Sequence, residues 1–138
     1  TKGSTVTVLY AERVVLAPGV KFDAVPSTDN AALAAPVLHA WEAGTQTTQL
    51  RDYLAAMPSS GTFVLTIPKA PYRCPPGPYE RACLIADWLK AKKPGSKLIV
   101  LDANPGIIVE KENFSHAFTT LYAGVVDYRP GCTVTGGV

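Results

Sequence analysis

Apolar residues in this chain gather into short runs cut off by proline and glycine. Two of them, Thr62-Phe63-Val64-Leu65-Thr66-Ile67 and Lys97-Leu98-Ile99-Val100-Leu101-Asp102, are rich in β-branched residues and of strand length. Between them the period changes. From Tyr79 to Lys92 the small and apolar residues Ala82, Ile85, Ala86 and Leu89 recur at helical spacing, and Pro94-Gly95 stops the pattern. Strand, helix and strand in that order predict a βαβ unit, with parallel pairing and a right-handed crossover as the default.

The flanks are less regular. Thr5 to Ala17 reads as two strand-like pieces, Val6-Thr7-Val8-Leu9-Tyr10 and Arg13-Val14-Val15-Leu16-Ala17, ended by Pro18-Gly19. Lys21 to Pro36, with Pro26-Ser27-Thr28-Asp29-Asn30 inside it, reads as a linker. A helical pattern from about His39 to Met57 places Leu50, Tyr53 and Leu54 at i, i+3, i+4, and Pro58-Ser59-Ser60-Gly61 ends it. After a turn at Asn104-Pro105-Gly106, Asn113–Tyr122 predicts a short helix and Val125–Tyr128 a short strand, before a tail through Gly136-Gly137. The sum is an α/β, three-layer, Rossmann-like domain with a mostly parallel sheet.

Bulk composition narrows the class further. With 138 residues, 47% hydrophobic and 17% charged, the chain supports one modest domain with a true core. The net charge is only +2, and Lys90, Lys92 and Lys93 sit where a helix C-terminus favours cations, so no nucleic-acid surface is expected. No apolar run approaches the roughly 20 residues of a membrane span. The sequence opens at Thr1 without a methionine, as expected of a piece cut or processed from something longer. Three cysteines, Cys74, Cys83 and Cys132, form no CxxC and no cluster with His39 or His116, so no metal site is expected. Cys74 and Cys83 are a poor disulfide pair, one in a loop and the other more than a turn inside a helix.

The chemistry concentrates between the first strand and the helix. Pro68, Pro71, Pro75, Pro76 and Pro78 stiffen a loop that carries Cys74, with Arg73 beside it and Glu80 in the first helical turn. Two readings of Cys74 stand: a buried space-filler, or a reactive sulfur whose thiolate the Arg73 cation and the positive helix end favour. Glu80 likewise has two readings, a residue complementing the helix dipole or a proton carrier. A dinucleotide site in this place needs G-x-G-x-x-G, but only Gly77 is present, between prolines that lack the N–H groups a phosphate uses.

The run Ala70-Pro71-Tyr72-Arg73-Cys74-Pro75-Pro76-Gly77-Pro78-Tyr79-Glu80-Arg81-Ala82, followed by Trp88-Leu89-Lys90 and Lys97–Asp102, closely resembles the flavoprotein subunit of flavocytochrome c sulfide dehydrogenase. That family stands with the sulfide:quinone reductases among disulfide-oxidoreductase-like flavoproteins. Val14-Val15-Leu16-Ala17-Pro18-Gly19 resembles the strand and turn closing the family's first FAD-binding unit. His39-Ala40-Trp41-Glu42-Ala43-Gly44 resembles the point where the chain enters the helix before its second domain.

The resemblance, which covers roughly residues 8 to 128, implies a fragment. Residues 1–20 would be the tail of the FAD-binding domain and 21–38 a linker. Residues 39–138 would be the second nucleotide-fold domain, incomplete at its C-terminal end. In such enzymes sulfide is oxidised at a redox disulfide beside FAD, and electrons pass to a haem-bearing cytochrome c subunit. Cys74 matches the first redox cysteine, Glu80 a glutamate thought to handle protons, and Pro18 and Gly19 a turn close to the cofactor. The second redox cysteine and the covalent flavin attachment site are expected outside this sequence. So is the FAD phosphate loop, and the isolated chain is expected to be inactive. The family also implies a periplasmic location. Two alternatives keep Cys74 structural: a cytochrome-docking domain, or an NADH-binding domain of a related flavoprotein.

Overall fold

The computed structural model describes residues 3–22 and 37–134. Its elements are α1 (Thr45–Ala56), β1 (Thr62–Ile67), α2 (Gly77–Lys92), β2 (Lys97–Asp102), α3 (Lys111–His116), a π-helical turn (Ala117–Leu121) and β3 (Val126–Pro130). The cluster Pro26–Asn30 and the tail at Gly136-Gly137 lie outside the described residues.

The three strands form one parallel sheet in the order β1-β2-β3. Thr62 pairs with Lys97 and Ile67 with Asp102, while Leu98 pairs with Val126 and Asp102 with Pro130. All three strands therefore end together, and Ile67, Asp102 and Pro130 mark the edge where their following loops emerge. The predicted βαβ unit is present with the bounds read for both strands, and the domain is α/β and Rossmann-like.

Helix α2 forms where its stripe predicts. Ala82, Ile85, Ala86 and Leu89 are buried together, against Leu98 and Val100 of β2. Pro78 occupies the first turn, whose N–H groups would lack intrahelical partners anyway, with Glu80 close by. Lys90 and Lys92 complement the other end. The Lys93 N–H closes the helix on Leu89 O at 2.8 Å. The turn then passes through Gly95 at φ +79, a left-handed conformation that favours glycine, and a Cβ there would lie 2.8 Å from Ser60 Oγ and displace that hydroxyl. Phe114, Ala117 and Phe118 from α3 and the π-helical turn complete the same core, with Leu54 and Met57 packed at its margin.

Burial alternates along the strands. Leu98, Val100 and Asp102 point into the core, whereas Thr62, Val64 and Thr66 of β1 and Lys97 of β2 are exposed on the other face. The continuous apolar runs are thus split between a packed face and an open one.

Two expectations are corrected. The pieces Val6–Tyr10 and Arg13–Ala17 are not strands: no ladder pairs them among the described residues, and Val6, Val8, Leu9, Tyr10, Val14, Val15 and Leu16 are all exposed. β-propensity makes no strand without a neighbouring strand to bond. The helix expected from His39 begins at Thr45 instead. Ala40 at φ +50 and Gly44 at φ +130 lie outside helical space, and residues before Gly44 follow an irregular path.

Candidate functional site

The loop from Pro68 to Pro76 leaves the C-terminal end of β1 and turns back into α2. Its path is fixed from below by Asn104. The Asn104 side-chain carbonyl accepts from Ala70 N–H at 2.9 Å, and its amide donates to Pro68 O at 3.0 Å. The Ala70–Pro71 peptide is cis. Tyr72 tucks its ring against the core, and burial pushes its hydroxyl above the usual tyrosine range. The chain then passes through Cys74 at φ +57, in the left-handed region that non-glycine residues seldom adopt. The Gly77 N–H donates to Cys74 O at 3.0 Å and closes the turn over Pro75 and Pro76.

Cys74 is exposed and free, so it is not the buried space-filler that one reading allowed. Arg73 beside it is exposed too. Glu80 is exposed in the first turn of α2, and its negative charge acts on Cys83, one turn further along the helix. Burial first, and Glu80 second, push the Cys83 thiol up. Pro18 and Gly19 lie on the exposed N-terminal stretch, and nothing stands within 4 Å of where Gly19 would carry a Cβ. The structure therefore holds Cys74 and Glu80 on one loop–helix junction and leaves Pro18 and Gly19 apart from it.

Beneath the junction lies a cluster that sequence reasoning missed. Asp102, wholly buried at the end of β2, accepts at one oxygen from the Tyr79 and Tyr128 hydroxyls at 2.8 and 2.7 Å. Its other oxygen accepts from the backbone and side-chain amides of Asn104, both at 2.8 Å. A buried carboxylate is tolerated when its lone pairs are filled in this way. The arrangement joins α2 through Tyr79, β3 through Tyr128, and the cysteine loop through Asn104. Burial, and the need to keep donating to Asp102, hold both tyrosine hydroxyls far above their ordinary range. The only signal in the sequence was an aspartate closing an apolar strand two residues before asparagine.

The start of α2 is poor in free donors. Pro76 and Pro78 have no N–H, Gly77 N–H is used by Cys74 O, and Glu80 N–H by Pro76 O at 3.0 Å. A phosphate needs several such groups pointing at it. The start of α2 thus offers no row of free N–H groups of the kind that cradles a dinucleotide phosphate. No three His, Cys, Asp or Glu residues group as metal ligands among the described residues. Among the described residues no helix is long and apolar enough to cross a membrane.

These features define a Rossmann-like α/β unit in which an exposed thiol occupies the loop where related folds hold phosphate. Comparison with known families agrees with that class and narrows it. The family model described as sulfide dehydrogenase [flavocytochrome c] flavoprotein chain, central, matches residues 47–136, and the chain belongs to that family. The match spans β1, the cysteine loop, α2, β2 and β3, so the expected relation to the middle of such a flavoprotein is borne out.

Proposed function

We propose that this chain is the part of an FAD-dependent sulfide dehydrogenase that presents Cys74 as one sulfur of a redox disulfide. The observation that carries the reading is the exposed Cys74 thiol at φ +57, held at the C-terminal edge of the sheet on a loop of a flavoprotein-chain family. Active groups of open α/β sheets collect at that edge.

On this reading sulfide attacks the disulfide, one S–S bond forms as another breaks, and the displaced cysteine leaves as thiolate. Cys74 supplies one of the two sulfurs, and Glu80, on the same junction, takes or returns the proton. In the intact protein FAD would supply the two-electron acceptor for the displaced thiolate, and a haem-bearing cytochrome c subunit the onward acceptor. The flavin is held by residues other than those of the cysteine junction, which lacks a cradle for it. Residues 1–20 belong to the FAD-binding domain, 21–38 link it, and 39–138 form the second nucleotide-fold domain. The protein works in the periplasm, and this chain alone does not turn over.

The test is sulfide-dependent cytochrome c reduction by the intact flavoprotein. Cys74→Ser abolishes it if the reading holds, and a wild-type rate sinks the reading. Glu80→Gln lowers kcat by about a hundredfold, the usual scale for losing a general acid–base.

A further inference from the structure

The segment His39–Trp41 does not form helix, yet it is tightly held. The Arg81 guanidinium donates to His39 O and, at 2.7 Å, to Ala40 O, and lies 3.4 Å from the centroid of the Trp41 ring. The backbone N–H groups of His39 and Ala40 both donate to Gln46 Oε1, at 3.0 and 2.9 Å. A fork of this kind, with an aromatic face beneath the cation, is a role that arginine fills and lysine does not. Burial lowers the proton affinity of Arg81, so its contacts are made in a partly dry place.

The latch has a consequence at the cysteine. A Cβ built on Gly77 would lie 3.4 Å from Cys74 Sγ and 3.4 Å from Trp41 Cη2, with Cζ3 at 3.6 Å. The thiol and the benzo edge of the indole thus border the same small space above the first turn of α2. Glycine leaves that space open. Sulfur favours the edge of an aromatic ring, which carries the positive end of its quadrupole.

We propose that Trp41 is a specificity-determining residue of the Cys74 site and Arg81 its positioning residue. The latched indole edge walls one side of the thiol, so a bulky thiol reagent is hindered more than a small sulfur species. This inference rests on the reading of Cys74 as the reacting sulfur, but it is tested without turnover.

The experiment uses the full chain, with adducts assigned to Cys74 by peptide mass spectrometry and Cys83, half-buried in α2, as the internal control of folding. Rates are measured with iodoacetamide and with a bulky polyethylene-glycol maleimide. Trp41→Ala and Arg81→Ala are each expected to raise the bulky-to-small rate ratio at Cys74 about fivefold through access alone, with Cys83 unchanged. Trp41→Phe keeps part of the wall, and Arg81→Lys does not restore the fork. In a Trp88→Phe chain, where Trp41 is the sole indole, a nitroxide on Cys74 should quench most of the fluorescence, and Arg81→Ala should relieve the quenching. If Trp41→Ala unfolds the chain, Trp41→Phe and the quenching measurement decide. An unchanged rate ratio in a folded variant, or quenching that does not depend on Arg81, overturns the proposal. Loss of sulfide oxidation in intact Cys74→Ser protein with no change in these ratios would remove the wall and leave the cysteine reading standing. The reverse pattern would keep the wall and remove the reaction.

Discussion

Val14-Val15-Leu16 and Leu98-Ile99-Val100 are nearly the same tripeptide in chemical terms, and they meet opposite fates. Val15 and Leu16 are 89% and 87% exposed, whereas Leu98 and Val100 are wholly buried. The second run has β1 and β3 bonded on either side and α2 packed across it. The first has none of these among the described residues. The difference teaches that an apolar β-branched run only states a demand for partners. Where the partners are close along the chain, as in a βαβ unit, the demand is met locally.

The sharpest way to break this comparison is to make one substitution in both regions. Leu98→Ala removes a fully buried side chain from between α2 and the sheet and should cost about 2–5 kcal/mol. Leu16→Ala should change stability by less than about 0.5 kcal/mol. Urea denaturation followed by circular dichroism measures both. Equal effects would show that residues 5–20 are packed in solution.

The next largest effect is expected at Asp102, where the buried region depends on polar satisfaction as well as apolar area. Asp102→Ala leaves two tyrosine hydroxyls and two Asn104 amide donors facing a gap and should cost about 3 kcal/mol or more. Tyr128→Phe removes one donor to a charged acceptor and should cost about 1.5 kcal/mol. Asp102→Ala should also loosen the cysteine loop, since Asn104 carries the contacts to Pro68 and Ala70. Faster amide exchange at Ala70 checks this.

How much of this was legible beforehand follows from range. β1, α2 and β2 could be read because their apolar periods are local and bounded by Pro58, Pro94 and Gly95. The cysteine loop could be read because its prolines and thiol are contiguous. The N-terminal strands were misread because propensity carries no information about pairing. The start of α1 was misread because the positive φ of Ala40 leaves no mark in the sequence. Asp102 and its two tyrosines lie 23 and 26 residues apart, and Arg81 lies 41 residues from Ala40, so neither cluster has a local signature.

A smaller effect distinguishes the regions by pH. Tyr79 and Tyr128 ionise in the unfolded chain near pH 10 but only at higher pH when folded. Above pH 10 the unfolded state therefore holds fewer protons, and stability falls as pH rises. Each tyrosine contributes a slope of about 1.4 kcal/mol per pH unit in that window and nothing below it. Because the unfolded tyrosine is only half ionised at pH 10, Tyr79→Phe should make the fall from pH 10 to 11 shallower by about 1 kcal/mol, measured as the difference in urea midpoints between variant and parent. Tyr10, 97% exposed in the N-terminal stretch, should make no difference when replaced by Phe.

The smallest expected effect concerns paired surface charges within the packed half. Arg129 and Asp127 stand on exposed positions of β3, two residues apart and on the same face, with Nη2 and Oδ2 at 2.5 Å. The contact is close because alternate residues of a strand point the same way, so the two side chains need little reach to meet. Both remain about half-exposed, however, and water screens them. The Arg129 cation holds the Asp127 carboxyl below its ordinary value, so the pair's contribution is present above pH 4 and is lost as pH falls through the lowered folded value. Asp127→Asn should therefore lower stability at pH 7 by no more than about 0.5 kcal/mol. Raising the salt concentration should shrink even that difference. A loss approaching that of Tyr128→Phe would mean that the open face of the sheet, on which this pair lies, is covered in solution and its charges desolvated.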